Sequence, residues 1–219
     1  MIVELVGPAG AGKSAVMHAL NRRDATVRPG LRIDRYRHLP LIVQHTLPLV
    51  PTGMELLLNA PRSWWPSLLR LVRLATLHAA LRREASQAYR AVILDEGPVF
   101  TLTRLRVFEE ASFRSARFAR RWRMALEQWA ATLDIVIWLD APDSVLAQRI
   151  RNRPKTHRVK QQSDQAIGEF LARYRQAYRL VLDQMAATHR TKLVEINTAT
   201  ASVDQIVAGI LPVLERSES

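Results

Sequence analysis

Gly7-Pro8-Ala9-Gly10-Ala11-Gly12-Lys13-Ser14 follows directly on the apolar run Ile2-Val3-Glu4-Leu5-Val6 and leads into a helix-forming stretch from Ser14 to Asn21. The octapeptide satisfies G-x-x-x-x-G-K-[ST] at every fixed position, and it stands where that pattern has physical meaning, between a β-branched strand and a helix. Small residues let successive backbone N–H groups curl round a phosphate without side-chain obstruction, and the helix adds the positive end of its dipole. The backbone of Gly7, Pro8, Ala9, Gly10, Ala11, Gly12, Lys13 and Ser14 is therefore expected to cradle the phosphates of a nucleotide triphosphate, ATP. Lys13 would bring a point charge to the β- and γ-phosphates, and the Ser14 hydroxyl would ligate Mg²⁺.

Working outward, further strand-like runs recur at Ala91–Leu94, Ile135–Leu139 and Lys192–Ile196, with a weaker one near Leu31–Ile33. Helical periodicity fills Ser67–Arg90, Phe113–Leu133, Ser144–Arg151, Asp164–Thr188 and Ser202–Leu214. Strand and helix in alternation predict an α/β fold, a three-layer parallel sheet with helices on both faces. All 219 residues are read as one domain, with an inserted helical acceptor region at about 38–90 and a lid at about 149–162. Prolines 40, 48, 51, 61 and 66 punctuate the insertion, which is expected to form loops and short helices over one end of the sheet. They also break the apolar stretch Leu39–Val50, so no membrane span is expected, and the N-terminus does not read as a signal peptide.

The chain has no cysteine, which excludes disulfide scaffolds, thiolate zinc sites and cysteine nucleophiles and agrees with a cytoplasmic location. A formal charge of +12, carried almost wholly by arginine, points to anionic partners. One stretch, 113–123, mixes Phe113, Phe118 and Trp122 with five arginines. It is expected to be an amphipathic helix with its aromatics in the core, and peripheral docking on an acidic membrane is its alternative use. Nucleic acid is not an expected partner, and a homodimer is left open.

Two further motifs bear on chemistry. The run Ala91-Val92-Ile93-Leu94 ends in Asp95-Glu96-Gly97-Pro98, which places two carboxylates at the end of a buried strand. Asp95 is expected on the metal side, holding the water shell of Mg²⁺. Alternation of side chains along a strand would turn Glu96 elsewhere, to orient or deprotonate an acceptor hydroxyl. The third motif, Leu139-Asp140-Ala141-Pro142, precedes six cations between Arg149 and Lys160 with no acid among them. Arg149, Arg153 and Arg158 are expected to clamp the triphosphate and neutralise charge developing on the transferred phosphoryl group. Asp34, with Arg35 and Arg37, would grip or activate the acceptor.

With these segments in view, the chain resembles the nucleoside monophosphate kinase group of phosphate-loop kinases, most closely the thymidylate kinases. The resemblance rests on Gly7–Ser14, Leu94-Asp95, Leu139-Asp140-Ala141-Pro142, Arg149–Arg153 and the aromatic and basic stretch Glu169–Tyr178. It extends to the final strand, and it implies that Asn197 and Thr198 border the adenine. It fails at Glu96, where thymidylate kinases carry an arginine for the acceptor phosphate. A carboxylate there favours an acceptor that presents a hydroxyl. The expected activity is thus ATP-dependent transfer of the γ-phosphoryl group to a small-molecule hydroxyl or phosphate acceptor. The alternative is a phosphate-loop ATPase or nucleotide-dependent switch working with nucleic acid or a protein partner.

Overall fold

The computed structural model describes residues 1–30, 33, 36–84, 89–154, 156–189 and 191–215. Four apolar runs become the strands β1 (Ile2–Val6), β3 (Ala91–Asp95), β4 (Ile135–Asp140) and β5 (Lys192–Asn197), and Val27–Pro29 adds β2. All pair in parallel, in the order β2-β3-β1-β4-β5. The connecting helices are α1 (Lys13–Arg23), α2 (Leu39–Thr46), α3 (Val50–Asn59), α4 (Trp64–Glu84), α5 (Pro98–Phe108), α6 (Ala116–Ala130), α7 (Asp143–Asn152), α8 (Asp164–Thr188) and α9 (Val203–Glu215). Along β4 the side chains alternate between two cores. Ile135, Ile137 and Leu139 pack with α1, α7 and α9, whereas Val136 and Trp138 pack with α4, α5, α6 and α8. This is the three-layer α/β arrangement that the alternation of motifs predicts.

β1 lies at the centre, with Leu5 in register with Asp95 of β3 and Val6 with Trp138 of β4. The three strands therefore end together. The phosphate loop, Asp95 and Asp140 leave the sheet at one edge, beside the point where the strand order reverses and ligands bind in open α/β sheets.

Several elements differ from expectation for identifiable reasons. The second strand is Val27–Pro29, upstream of Leu31–Ile33, and Leu31 and Arg32 lie outside the described residues. The helix expected over 113–133 begins only at Ala116, because the Ser115 hydroxyl accepts the Phe118 N–H at 3.1 Å and fixes the start there. Phe113 and Arg114 belong instead to a 3₁₀ turn, Glu110–Arg114. Phe118 and Trp122 are buried, as the amphipathic reading requires. The helix α5 was not anticipated. Pro98 looks like a breaker but occupies the first turn, where a missing N–H costs nothing. Pro40 and Pro51 sit likewise in the first turns of α2 and α3. The resulting 21-residue stretch Leu39–Asn59 is, contrary to expectation, long and apolar enough by length and composition to cross a bilayer. Its residues Leu41, Leu49 and Leu56 are nevertheless buried in the protein.

Glu4, the single charge in β1, holds the sheet to α5. It is wholly buried, and its carboxyl accepts the Val99 N–H at 2.8 Å and the Phe100 N–H at 3.0 Å, two of the donors a helix start leaves unpaired. Gly97 makes the approach feasible, since a Cβ there would lie 2.8 Å from the Glu4 Cδ. Burial pushes the carboxyl up to about 8, against the pull of the Phe100 and Val99 N–H groups and with help from the Asp95 charge. The folded protein therefore holds a proton that the unfolded chain releases near 4.5. The associated stability is complete below that value and is lost as pH rises toward 8, at about 1.4 kcal/mol per pH unit. We expect the melting temperature of the wild type to fall between pH 5 and pH 8 relative to that of Glu4→Gln, which cannot titrate. Parallel melting profiles would show that Glu4 does not change charge in this range.

Candidate active site

The loop's path against the end of β4 demands glycine. Gly7 has φ +142°, and a Cβ there would stand 2.0 Å from the Leu139 carbonyl oxygen. Lys13 folds back over the loop, its ammonium donating to the Gly7 carbonyl at 2.7 Å and the Pro8 carbonyl at 3.0 Å. Burial pushes the Lys13 ammonium down to about 8, opposed by the charges of Asp95 and Glu96. Pro8 also accepts the Ala11 N–H at 3.3 Å, which closes the turn.

A cavity of about 580 Å³ opens over this loop. Gly7, Ala9, Gly10, Gly12, Lys13 and Ser14 form its floor, and Asp95 and Glu96 stand at one side. Arg149, Arg153 and Arg158 line it too, so the three motifs converge on one space. With Arg104 the cavity wall carries five cations against two carboxylates, an environment suited to a polyanion. The Ser14 hydroxyl and the Asp95 carboxylate are exposed hard-oxygen groups of the kind Mg²⁺ takes beside phosphates.

A larger cavity, about 1330 Å³, lies between β3, α2 and α4. Its walls are mostly apolar, including Met17, Ile33, Leu39, Ile42, Trp65, Leu69, Val72 and Leu77, with His18, Arg73 and Thr76 as polar points. Asp95 and Glu96 line both cavities. The strand alternation that would separate the two acids lapses here because Glu96 takes a left-handed backbone, φ +55°. Its carbonyl accepts from the Arg73 guanidinium at 3.3 Å.

The predicted lid cations have different surroundings. Arg149 donates to the Thr198 hydroxyl at 2.9 Å, the Thr198 carbonyl at 2.7 Å and the Gly10 carbonyl at 3.4 Å. It ties α7 to the phosphate loop and to the turn after β5. Arg158 lies over the Phe108 ring, 4.5 Å from its centroid. Arg153 follows the end of α7, and its carbonyl accepts from Lys160 at 2.6 Å, which ties it to the turn that holds the buried Val159. Lys155 lies outside the described residues. Arg175 of α8 makes paired bonds to Asp140 at 2.7 and 3.0 Å and a further ion pair to Asp143, which braces the Leu-Asp-Ala-Pro turn. These carboxylates raise the Arg175 pKa further, against its partial burial.

Asn197 does not line the cavity; its amide oxygen accepts the Ala199 N–H at 2.9 Å. Asp34 and Arg35 lie outside the described residues. Sequence reasoning missed Arg104, Phe100 and Phe108 because it missed α5, for which Pro98 at the first helical position was the available signal. It also missed His157, which packs edge-on against Phe170 and is held below the usual imidazole range by burial and by Arg153, Lys13 and Arg158.

A protein-family profile described as an AAA domain matches residues 2–180. Among solved structures, deoxyadenosine kinase from M. mycoides with the products dCMP and a flexible dCDP bound is similar over 99% of this chain and 100% of that one, at 13% identity and a TM-score of 0.58. Thymidylate kinase from Candida albicans is similar over 99% of this chain and 92% of that one, at 14% identity and a TM-score of 0.58. The YorR protein from Bacillus subtilis, in complex with phosphorylated GDP, covers 100% of this chain and 98% of its own at 17% identity and a TM-score of 0.53. No curated protein sequence matches significantly. At these identities the likeness shows the fold, that of phosphate-loop nucleoside and nucleotide kinases.

Proposed function

The chain belongs to the AAA domain family of phosphate-loop proteins, and from that premise we propose that it is an ATP- and Mg²⁺-dependent small-molecule kinase. The observation that carries this reading is the pair of cavities meeting at Asp95 and Glu96. One is cationic and floored by the phosphate loop, as a nucleotide requires. The other is larger and mostly apolar, as an acceptor site requires. When bound, Mg-ATP supplies the transferable phosphoryl group and neutralises part of its charge.

The protein's own residues supply alignment and charge, which are most of what phosphoryl transfer asks of an enzyme. The loop amides and Lys13 hold the phosphates in place. Ser14 and Asp95 offer oxygens to the metal. Glu96, at the boundary of the two cavities, accepts the proton of an acceptor hydroxyl or orients it. Arg153, Arg158 and Arg104 face the charge that spreads over the transferred group. Phe100, Phe108, Phe170 and Tyr174 wall the site with apolar surface, which limits water and thus hydrolysis.

Incubation with ATP, Mg²⁺ and a panel of nucleosides, nucleotides, sugars and amino-alcohols tests the assignment by product mass. One phosphoryl unit added to an acceptor is the expected result. ATP hydrolysis stimulated by a macromolecule, with no acceptor modified, would replace the kinase by a switch. Within the kinase reading, Asp95→Asn should weaken Mg²⁺-dependent ATP binding. Glu96→Gln should spare ATP binding and lower transfer on the order of 10²-fold. ATP titrations showing equal losses in both variants would refute this division of roles.

A further inference from the structure

The helices α2 and α3, joined by the 3₁₀ turn Leu47–Leu49, run on as one helical rod over Leu39–Asn59. Leu41, Leu49 and Leu56 point into the protein. Leu39, Val43, Leu47, Val50, Met54 and Leu58 do not; they are exposed, Leu47 by 66% and Leu58 by 82%. Their spacings of three and four residues gather them within about 100° of arc, one continuous apolar face some six turns long. An amphipathic surface helix would present polar residues there. The only charge in the rod is Glu55, and it pairs with Arg117 of α6 at 3.2 Å.

Beside this face stands a row of arginines. Arg121 of α6 donates to the Pro48 carbonyl at 3.0 Å, which fixes α6 against the rod, and Arg117 and Arg120 are exposed on the same side of that helix, lining a cleft with Pro48 and Pro51. Long arginine stems can lie on apolar surface while their heads reach outward. Apolar side chains able to enter acyl chains, next to cations able to meet anionic headgroups, are the two components of peripheral membrane binding. A second copy of the chain fits less well, because pairing this face with itself would bring together two arginine rows of a protein already at +12.

We propose that the outer face of α2–α3, with the arginines of α6, docks the protein on an anionic phospholipid bilayer. The rod lies in the plane of the surface and does not cross it, since Leu49 and Leu56 hold its inner side in the core. Leu39 lines the large cavity together with Trp65, itself 52% exposed, so docking brings the mouth of that cavity to the lipid–water boundary.

Co-sedimentation of the full chain with vesicles tests this without reference to turnover, so a failed kinase assignment would leave the result readable. Vesicles of phosphatidylcholine with phosphatidylglycerol should bind the protein, and vesicles of phosphatidylcholine alone should bind it far less. The double variant Leu47→Glu/Leu58→Glu should lose at least about tenfold in partitioning, while Arg120→Glu should lose about fivefold at low salt. All these positions are exposed, and melting curves verify the fold. Three results would overturn the proposal. They are no partitioning into anionic vesicles, partitioning that the leucine variants leave unchanged, and a lipid-free dimer in sedimentation velocity that Leu47→Glu/Leu58→Glu dissociates.

Discussion

Lys13→Ala is expected to lower phosphoryl-transfer turnover by about 10²- to 10³-fold and to leave the fold intact. The ammonium reaches no core side chain; its bonds go to the Gly7 and Pro8 carbonyls of its own loop. Its removal takes a positive charge away from the site where a triphosphate would place several negative ones, and among the described residues no other ammonium bonds the Gly7 and Pro8 carbonyls. Melting should therefore shift by no more than about 1 kcal/mol in stability, as for substitutions away from the core. The same lysine predicts the pH dependence of ATP affinity. The charged form attracts phosphate, so affinity should be greatest below about 8 and weaken as pH rises through that value. Steady-state kinetics, ATP titration at several pH values and thermal melting measure all three. Wild-type turnover in the alanine variant would end the kinase assignment.

Arg153→Ala is expected to reduce turnover on the order of 10²-fold with a much smaller loss in ATP affinity, because charge on the phosphoryl oxygens develops mainly as transfer proceeds. Arg158→Ala should behave similarly, with an added loss from its contact with Phe108. Arg149→Ala should differ. Its guanidinium already bonds the Thr198 hydroxyl and carbonyl, so its removal leaves partners unpaired, destabilises the protein by about 1–3 kcal/mol and loosens the phosphate loop at Gly10. Lysine should restore little at 149, where three bonds leave one planar group, and more at 153. Comparison of kcat, ATP affinity and melting temperature across the three alanine variants separates these roles. Uniform loss of ATP affinity with unchanged turnover would remove the lid residues from catalysis.

What could be read from the sequence was whatever the chain writes in consecutive residues. The phosphate loop, the acid pair after β3 and the Leu-Asp-Ala-Pro turn are each a short local string, and strands β1, β3, β4 and β5 announce themselves as apolar runs. The phosphate-side cavity was therefore largely foreseeable, although Arg104 was hidden with α5. Prolines misled in a consistent way. Pro98, Pro40 and Pro51 suggest interruption, yet each stands in a first helical turn that needs no N–H. The larger, mostly apolar cavity could not be assembled in advance, since its walls come from α1, the segment after β2, α2, α4 and the end of β3. Glu4 was invisible as a partner of α5 because its contacts are 95 and 96 residues away.

The backbone at Glu96 sets two demands on one position in opposition. A left-handed conformation costs a residue with a Cβ about 1 kcal/mol that glycine would not incur. Stability alone would favour glycine there, and any drift or design process that scores only folding would tend to erase the carboxylate. A sequence optimised for expression or heat resistance could thus keep its sheet and its phosphate loop while losing the carboxylate that stands between the two cavities. If the proposed reaction holds, position 96 is where a stabilised relative of this protein would first become a nucleotide-binding shell without a reaction.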